Sequence, residues 1–437
     1  MFAKDLRNKE KMKILVLYFK FKNFKNRTTI NEHLGSFRRY IDNVQFHYFN
    51  AANGVPWYLT HVKYDGVILH YTFLATRWRQ DLYEEWSNTI KRLKEIGGYK
   101  VAIPQDEYAG TDVLCRLFRE CGVKTVFTCF SNDDYDKVYP CNKVPLEHRI
   151  TVFPGYIDEI AAEKIKSFCS GTTSRPIDLG YRARKLPYWL GRQGQLKYEI
   201  AKLFLERTAN SELKVDISTD DKDVFLGDDW YRFLCRCRAV LGCEGGASLL
   251  DPTGEIRRKV EKYVQNKPEA TFEEVERACF PDQDYNIRLF TLSPRHFECA
   301  ITKTCQVLLE GNYGGILIPG EHYIEVKKDY SNIDTVIEQL HDADYCAKIA
   351  ENAYRDIVQS GKYSYRSFAN QVIAHISENT NKGKKQTSRD KKVFSLVGKY
   401  LFIRELLEPV LVKLFYVWLA VKLYRTKVFR KLLNKIK

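Results

Sequence analysis

Glycine, arginine and carboxylate residues recur in the second half of the chain just after apolar runs. After PIDL come Gly180, Tyr181, Arg182, Ala183 and Arg184, then Gly191-Arg192-Gln193-Gly194 ahead of a helical pattern. Glycine lets backbone N–H groups approach an anion, and arginine grips phosphate oxygens through paired donors. At the start of a helix this combination suits a diphosphate. The competing reading is a solvated basic loop. A second small-residue stretch, Glu244-Gly245-Gly246-Ala247-Ser248, follows RAVLGC. Gly245 and Gly246 permit either a ligand passing close to the backbone or a plain turn. In Leu292–Ala300, Ser293 reads as a helix N-cap with Pro294 at the first position, and Arg295 and Glu298 fall in the early turns. A carboxylate at Glu298 can accept both hydroxyls of a ribose, or simply offset the helix dipole.

These groups need elements to hold them. KILVLYF (13–19), DGVILHY (65–71), YKVAIP (99–104), KTVFTCF (124–130) and RITVFP (149–154) read as buried strands. Residues 81–96 carry apolar side chains at helical spacing, and Thr111 or Asp112 caps a further helix that ends at Gly122. The stretch SGTTSRP (170–176) reads as a linker. PIDLGYR, LKVDIS (213–218), RAVLGC (238–243), CQVLLEG (305–311) and YIEV (323–326) then open and continue a second series. Strands alternating with helices imply parallel sheets covered on both faces. The expected fold is α/β, with two doubly wound Rossmann-like domains facing a cleft and a C-terminal amphipathic tail. The expected units are an acceptor-side domain over 12–169, a donor domain over 175–345, helices over 346–380 packing back on the body, and a tail over 381–437.

The run RHFECAITKTCQVLLEGNYGGILIPGEHYIEVKKDYSNID resembles the nucleotide-sugar-binding region of GT-B glycosyltransferases, in particular the retaining-type and spore-protein-like groups. DLGYRARKLPYWLGRQGQLKYEIA resembles the opening strand and loop of their donor domain, and PQDEYAGTDVLCRLFRECGVKTVFTCF a strand–helix–strand of polysaccharide-cluster members. The resemblance spans roughly residues 12–380. It implies that Glu298 holds the donor ribose and that Arg182, with Arg192 or Lys197, grips the diphosphate. Eight positions before Glu298, where many members carry a second acidic residue, this chain has Phe290. An inverting mechanism needs an acceptor base from the first domain. His70 after GVIL, and Asp106 and Glu107 after VAIP, stand at strand ends, with His33 a weaker candidate of the same kind; each suits a structural role equally well. A retaining mechanism needs no such base. No cofactor beyond a nucleotide-sugar substrate is expected. Metal ligands are not expected either, since HExxH and P-loop patterns do not occur in the sequence.

The formal charge of +15 is unevenly placed. Residues 381–437 hold 16 Lys/Arg against three Asp/Glu, a net of +13; residues 1–380 hold 54 against 52, a net of +2. The basic tail mixes Leu, Val, Phe, Tyr and Trp with Lys or Arg every few residues. Its longest uncharged run, 414–421, is too short to span a bilayer. A basic amphipathic helix on an anionic membrane, bent near Pro409, fits this pattern, and a helix docked on the body or a second subunit is the alternative. Nucleic acid as a partner leaves the apolar surface unexplained. No signal peptide is evident, and the twelve scattered cysteines read as buried reduced thiols of a cytosolic protein. The expected activity is sugar transfer from a nucleotide diphosphate to a glycan or lipid-linked acceptor in surface polysaccharide biosynthesis, at the inner face of the cell membrane. A non-catalytic nucleotide- or partner-binding scaffold recruited to that membrane is the alternative.

Overall fold

The computed structural model describes residues 11–20, 28–78, 87–169, 174–380 and 386–425. The first unit is a six-stranded sheet of β1 (Met12–Tyr18), β2 (Val44–Asn50), β3 (Gly66–His70), β4 (Tyr99–Ile103), β5 (Thr125–Thr128) and β6 (His148–Thr151). Its order is β2-β1-β3-β4-β5-β6, with every pairing parallel. Alternate residues of β1 feed two cores: Leu15 and Leu17 face one side, Ile14 and Val16 the other. Burial on both faces explains why the strand reads as one continuous apolar run. The helices over this sheet are α1 (Thr28–Tyr40), α2 (Ser87–Glu95) and α3 (Thr111–Cys121). The expected helix over 81–96 is seen from Ser87 to Glu95, and its first six residues lie outside the described residues.

A connecting helix, α4 (Glu159–Cys169), leads to the second unit. There β7 (Ile177–Arg182), β8 (Val215–Ser218) and β9 (Cys237–Gly242) precede the short pair β10 (Gly245–Ala247) and β11 (Leu289–Thr291), with β12 (Cys305–Leu309) and β13 (Ile324–Val326) last. The five-stranded parallel sheet runs β13-β12-β9-β7-β8. In both sheets the first strand of the unit lies between its second and third. This is the switch point of a doubly wound sheet, and ligands sit beyond the carboxyl ends of the strands there. The helices of this unit are α5 (Arg192–Thr208), α6 (Asp228–Arg236), α7 (Glu255–Asn266), α8 (Phe272–Cys279), α9 (Pro294–Ile301), α10 (Ile333–His341) and α11 (Ala343–Ala353).

The chain then returns to the first unit. Ile349 and Ala350 of α11 are in the core of the second sheet, whereas Phe368, Val372 and Ile376 of α12 (Tyr365–Asn379) cover the first. Residues 346–380 thus divide between the two units. A second tie runs through the segment after β10: Asp251 donates its N–H to the Tyr108 carbonyl at 2.8 Å, and its own carbonyl accepts the Gly110 N–H at 2.9 Å. Leu249, Phe272 and Phe280 join the core that contains Leu15 and Leu69.

Two expectations change here. Cys169, at the end of α4, is disulfide-bonded to Cys235 of α6, with Cα atoms 5.2 Å apart, so these two are not reduced thiols. Packing of the connecting helix against the second unit brings together cysteines 66 residues apart, which spacing alone does not show. The stretch expected as a small-residue loop is β10, paired antiparallel with β11. Gly246 has φ 111°, and a Cβ there would stand 1.7 Å from the Leu289 carbonyl oxygen, so backbone approach within this ladder requires the glycine.

The last helix, α13, runs Ser388–Arg425. Its first half docks on the first unit: Phe394 stacks on the His47 ring at 3.8 Å, Leu401 is buried, and Asp390 pairs with Lys63 at 2.9 Å. No helix among the described residues is long and apolar enough to cross a membrane.

Candidate functional site

The switch point of the second sheet opens on a cavity of about 660 Å³ that also reaches Thr28 and Thr29 of the first unit. Its floor comes from the end of β7 (Tyr181 to Arg184) and from Cys243 just past β9. Lys197 enters from α5, Trp230 and Tyr231 from α6, and Ser293, Arg295 and Glu298 from the start of α9. Strand ends and helix starts meet here because each βα connection turns back at the same edge of a parallel sheet.

The cations in the cavity differ in their commitments. Arg182 is held inside its own unit: its guanidinium donates to the carbonyls of Asp223, Tyr181 and Asp216 and pairs with Asp216 Oδ1 at 2.7 Å. It also lies over the Phe233 ring at 4.5 Å. These partners make it a strut beneath the cavity. Arg295 donates to the Arg182 carbonyl at 2.6 Å and sits over the Tyr181 and Trp230 rings. Lys197 brings its ammonium within 3.9 Å of where a Gly245 Cβ would stand, beside Ser293. Arg184, at the rim, pairs with exposed Asp221 at 2.9 Å. Arg182, Arg184, Lys197 and Arg295 all line the cavity and supply its positive charge.

Glu298 is the carboxylate of this site. Its Oε2 accepts the indole N–H of Trp230 at 2.7 Å. Burial raises its pKa, opposed by the hydrogen bond from Trp230, the charge of Arg295 and a hydrogen bond from Tyr231. The Trp230 indole on α6 thus fixes the orientation of the carboxylate while leaving lone pairs for a diol.

Other residues expected at the site stand elsewhere. Arg192 reaches away, pairing with Glu273 at 2.7 Å and covering the Phe272 ring. Gly180 is a packing glycine, since a Cβ there would lie 2.4 Å from the Cys237 sulfur. His70 is fully buried, its Nε2 2.9 Å from His33 Nδ1, and its Nδ1 accepts the Thr72 N–H. Burial lowers its pKa, as does the neighbouring imidazole. Glu107 is fully buried and accepts from the hydroxyls of Thr128 and Tyr139 and the N–H of Cys129. Asp106 is exposed with φ 56°, and its carbonyl accepts from buried Arg77 at 2.6 Å. Neither His70, Asp106 nor Glu107 lines the cavity between the units.

A smaller cavity of about 20 Å³ continues the large one, sharing Thr29, Tyr231, Pro294 and Glu298. It adds Glu32 from α1, Asp158 from the connection before α4, and Tyr365 from α12. Glu32, Asp158, Trp230 and Tyr231 are the members that sequence reasoning missed. The sole cue was position: Glu32 follows the first strand of the first unit, as Arg182 and Arg184 follow that of the second.

No family model matches the chain, and no curated protein matches it. Among solved structures, the chain is similar to the Anabaena protein HepE in complex with UDP and glucose, at 10% identity and TM-score 0.47, covering 84% of this chain and 100% of that one. It is similar to an alpha-glucosyltransferase in complex with UDP and a 13-mer DNA, at 12% identity and TM-score 0.47, covering 85% and 100%. A third is sucrose-phosphate synthase from Thermosynechococcus elongatus, at 8% identity and TM-score 0.45, covering 84% and 99%. All three TM-scores lie below 0.5, so the fold rests on this chain's own strand orders. Among the described residues no group of His, Cys, Asp or Glu is arranged to hold a metal ion.

Proposed function

We propose that this protein is a glycosyltransferase that moves a sugar from a nucleoside-diphosphate donor to a glycan or lipid-linked acceptor in surface polysaccharide biosynthesis. The observation that carries this reading is the convergence of Lys197, Arg295 and Glu298 on one cavity at the switch point of the second sheet, with a second α/β unit facing it. In this reading the cations and the start of α9 hold the diphosphate, stabilising the negative charge that grows as it departs. Glu298, oriented by Trp230, accepts the ribose hydroxyls.

Attachment to an anionic membrane at the inner face of the cell membrane is part of the same proposal. On the first half of α13, Leu396, Phe402, Ile403 and Leu406 are exposed, each by more than half, and residues 381–437 carry the net +13. A chain ended after Leu407 keeps these four side chains but loses half of the 16 tail cations, so it should keep its fold and co-sediment more weakly with anionic phosphatidylserine vesicles.

The donor reading is tested by thermal shift with UDP-, GDP-, CMP- and TDP-sugars. A ligand that binds the folded state raises the melting temperature by mass action. At least one donor is expected to do so, and release of nucleoside diphosphate by the same protein distinguishes an enzyme from a binding scaffold.

A further inference from the structure

The exposed apolar face of α13 continues onto the body of the first unit. Between β2 and β3 the chain makes the short 3-10 turn Trp57–His61, entered through Pro56. Leu59 of this turn is fully buried in the core beneath it, whereas Trp57 is 65% exposed. The turn is braced from within. The Leu59 N–H donates to the Pro56 carbonyl at 3.2 Å, the Val62 N–H to the Leu59 carbonyl at 3.3 Å, and the Thr60 hydroxyl to the Trp57 carbonyl at 2.7 Å. These bonds hold the Trp57 backbone on a fixed support with its indole outward.

Tyr58 joins the turn to α13. Its ring meets that of Tyr400 edge-on at 5.5 Å, and the Trp57 ring meets Tyr58 at 6.3 Å. Along α13, Leu396, Tyr400, Ile403 and Leu407 fall on one stripe of the helix, and all four are exposed. Phe394 and Leu401, on another side of the helix, are the side chains it buries against the body. The indole therefore stands beside the exposed stripe on a separate element.

Apolar side chains gathered in this way from two elements call for a partner. The charge indicates which. Residues 381–437 carry the net +13, and half of their cations follow Leu407. That charge attracts an anionic bilayer and repels a second copy of the same tail. Tryptophan also suits the headgroup level, where its ring is covered and its indole N–H stays hydrogen-bonded.

We propose that Trp57 enters the headgroup region of an anionic phospholipid bilayer together with the α13 stripe, so that the first unit itself rests on the membrane. This rests on the membrane reading above. Contact through α13 alone leaves the body free to turn about that helix. A second contact from the body fixes which way the first unit faces, and so holds a lipid-linked acceptor at a set distance from the donor cavity.

The test compares the full chain as wild type, Trp57→Ala, Trp57→Phe and Ile160→Ala in co-sedimentation with phosphatidylcholine vesicles, with and without phosphatidylserine. Ile160, exposed on α4 to nearly the same degree as Trp57, controls for loss of any exposed apolar side chain. All four proteins should melt together. Trp57→Ala is expected to weaken partition into phosphatidylserine vesicles about fivefold to tenfold, Trp57→Phe by less, and Ile160→Ala not at all. The ratio of wild type to Trp57→Ala should persist as salt is raised, because an apolar contact is not screened. Partition of Trp57→Ala within about twofold of wild type, or an equal loss in Ile160→Ala, overturns the placement of Trp57 and leaves attachment through the tail standing. Failure of the wild type to sediment with phosphatidylserine vesicles overturns the membrane reading, and this inference with it. A lipid-free dimer that Trp57→Ala converts to monomer in analytical ultracentrifugation would assign the patch to a second copy and overturn the proposal.

Discussion

Trp230 donates its indole N–H to Glu298 at 2.7 Å across 68 residues of sequence, joining the helix before β9 to the helix before β12. The bond fixes the carboxylate proposed to hold the donor ribose. Trp230→Phe keeps an aromatic ring beside Arg295 and Phe233 while removing the donor and part of the indole's packing area. Loss of one hydrogen bond to a charged group should weaken nucleoside-diphosphate binding about five- to tenfold with little change in melting temperature. Paired calorimetric titrations and melts check this.

Arg182 should behave differently from Lys197. Its guanidinium satisfies three carbonyls and the carboxylate of Asp216, all in its own unit. Arg182→Ala strands those acceptors and removes a cation from between Phe225 and Phe233. An expected loss of about 2–3 kcal/mol of stability shows in denaturant unfolding. Lys197→Ala should weaken diphosphate binding.

The Cys169–Cys235 bond ties the connecting helix to the helix that carries Trp230 and Tyr231. Closing a loop of that length stabilises a fold by about 4 kcal/mol in the chain-entropy account. Reduction by dithiothreitol, or Cys169→Ser, should lower the melting temperature. Mass spectrometry of the unreduced protein should find the linked peptide pair.

Glu32 makes stability depend on pH with a definite sign. Its folded pKa of about 7 lies above the ordinary 4.5, so the folded state holds the proton more tightly than the unfolded chain. The stabilising contribution is complete below pH 4.5 and is lost as pH rises through 7. Glu32→Gln carries no ionisable group there. It should therefore melt higher than wild type at pH 8 and nearly together with it at pH 4.5, as scanning calorimetry at the two pH values would show.

The fold was largely readable because strands buried on both faces leave continuous apolar runs, as in Ile14–Leu17 and Gly66–Leu69. Strand β2 was missed for the complementary reason. It is an edge strand whose Gln45 is exposed and whose polar residues break the run. Helices α7 and α8, rich in Lys, Arg and Glu, hid their apolar stripes of Val260, Phe272 and Val275 in a charged background. At the site, Glu298 was legible from a local pattern. The roles of Arg182 and Glu107 were not, because Asp216, Thr128 and Tyr139 reach them from neighbouring strands and turns. Glu32 gains its setting from Asp158 and Glu298, groups 126 and 266 residues away, which only the closed fold brings near.

The central claim is that the cavity at the end of the second sheet binds a nucleoside diphosphate through Glu298. Calorimetric titration of UDP, GDP, TDP and CDP into wild type and Glu298→Ala tests it directly. Saturable binding of at least one nucleotide to wild type, weakened about tenfold or more in Glu298→Ala, is the predicted result. No binding of any of the four up to millimolar concentration, or equal binding by both proteins, would contradict it.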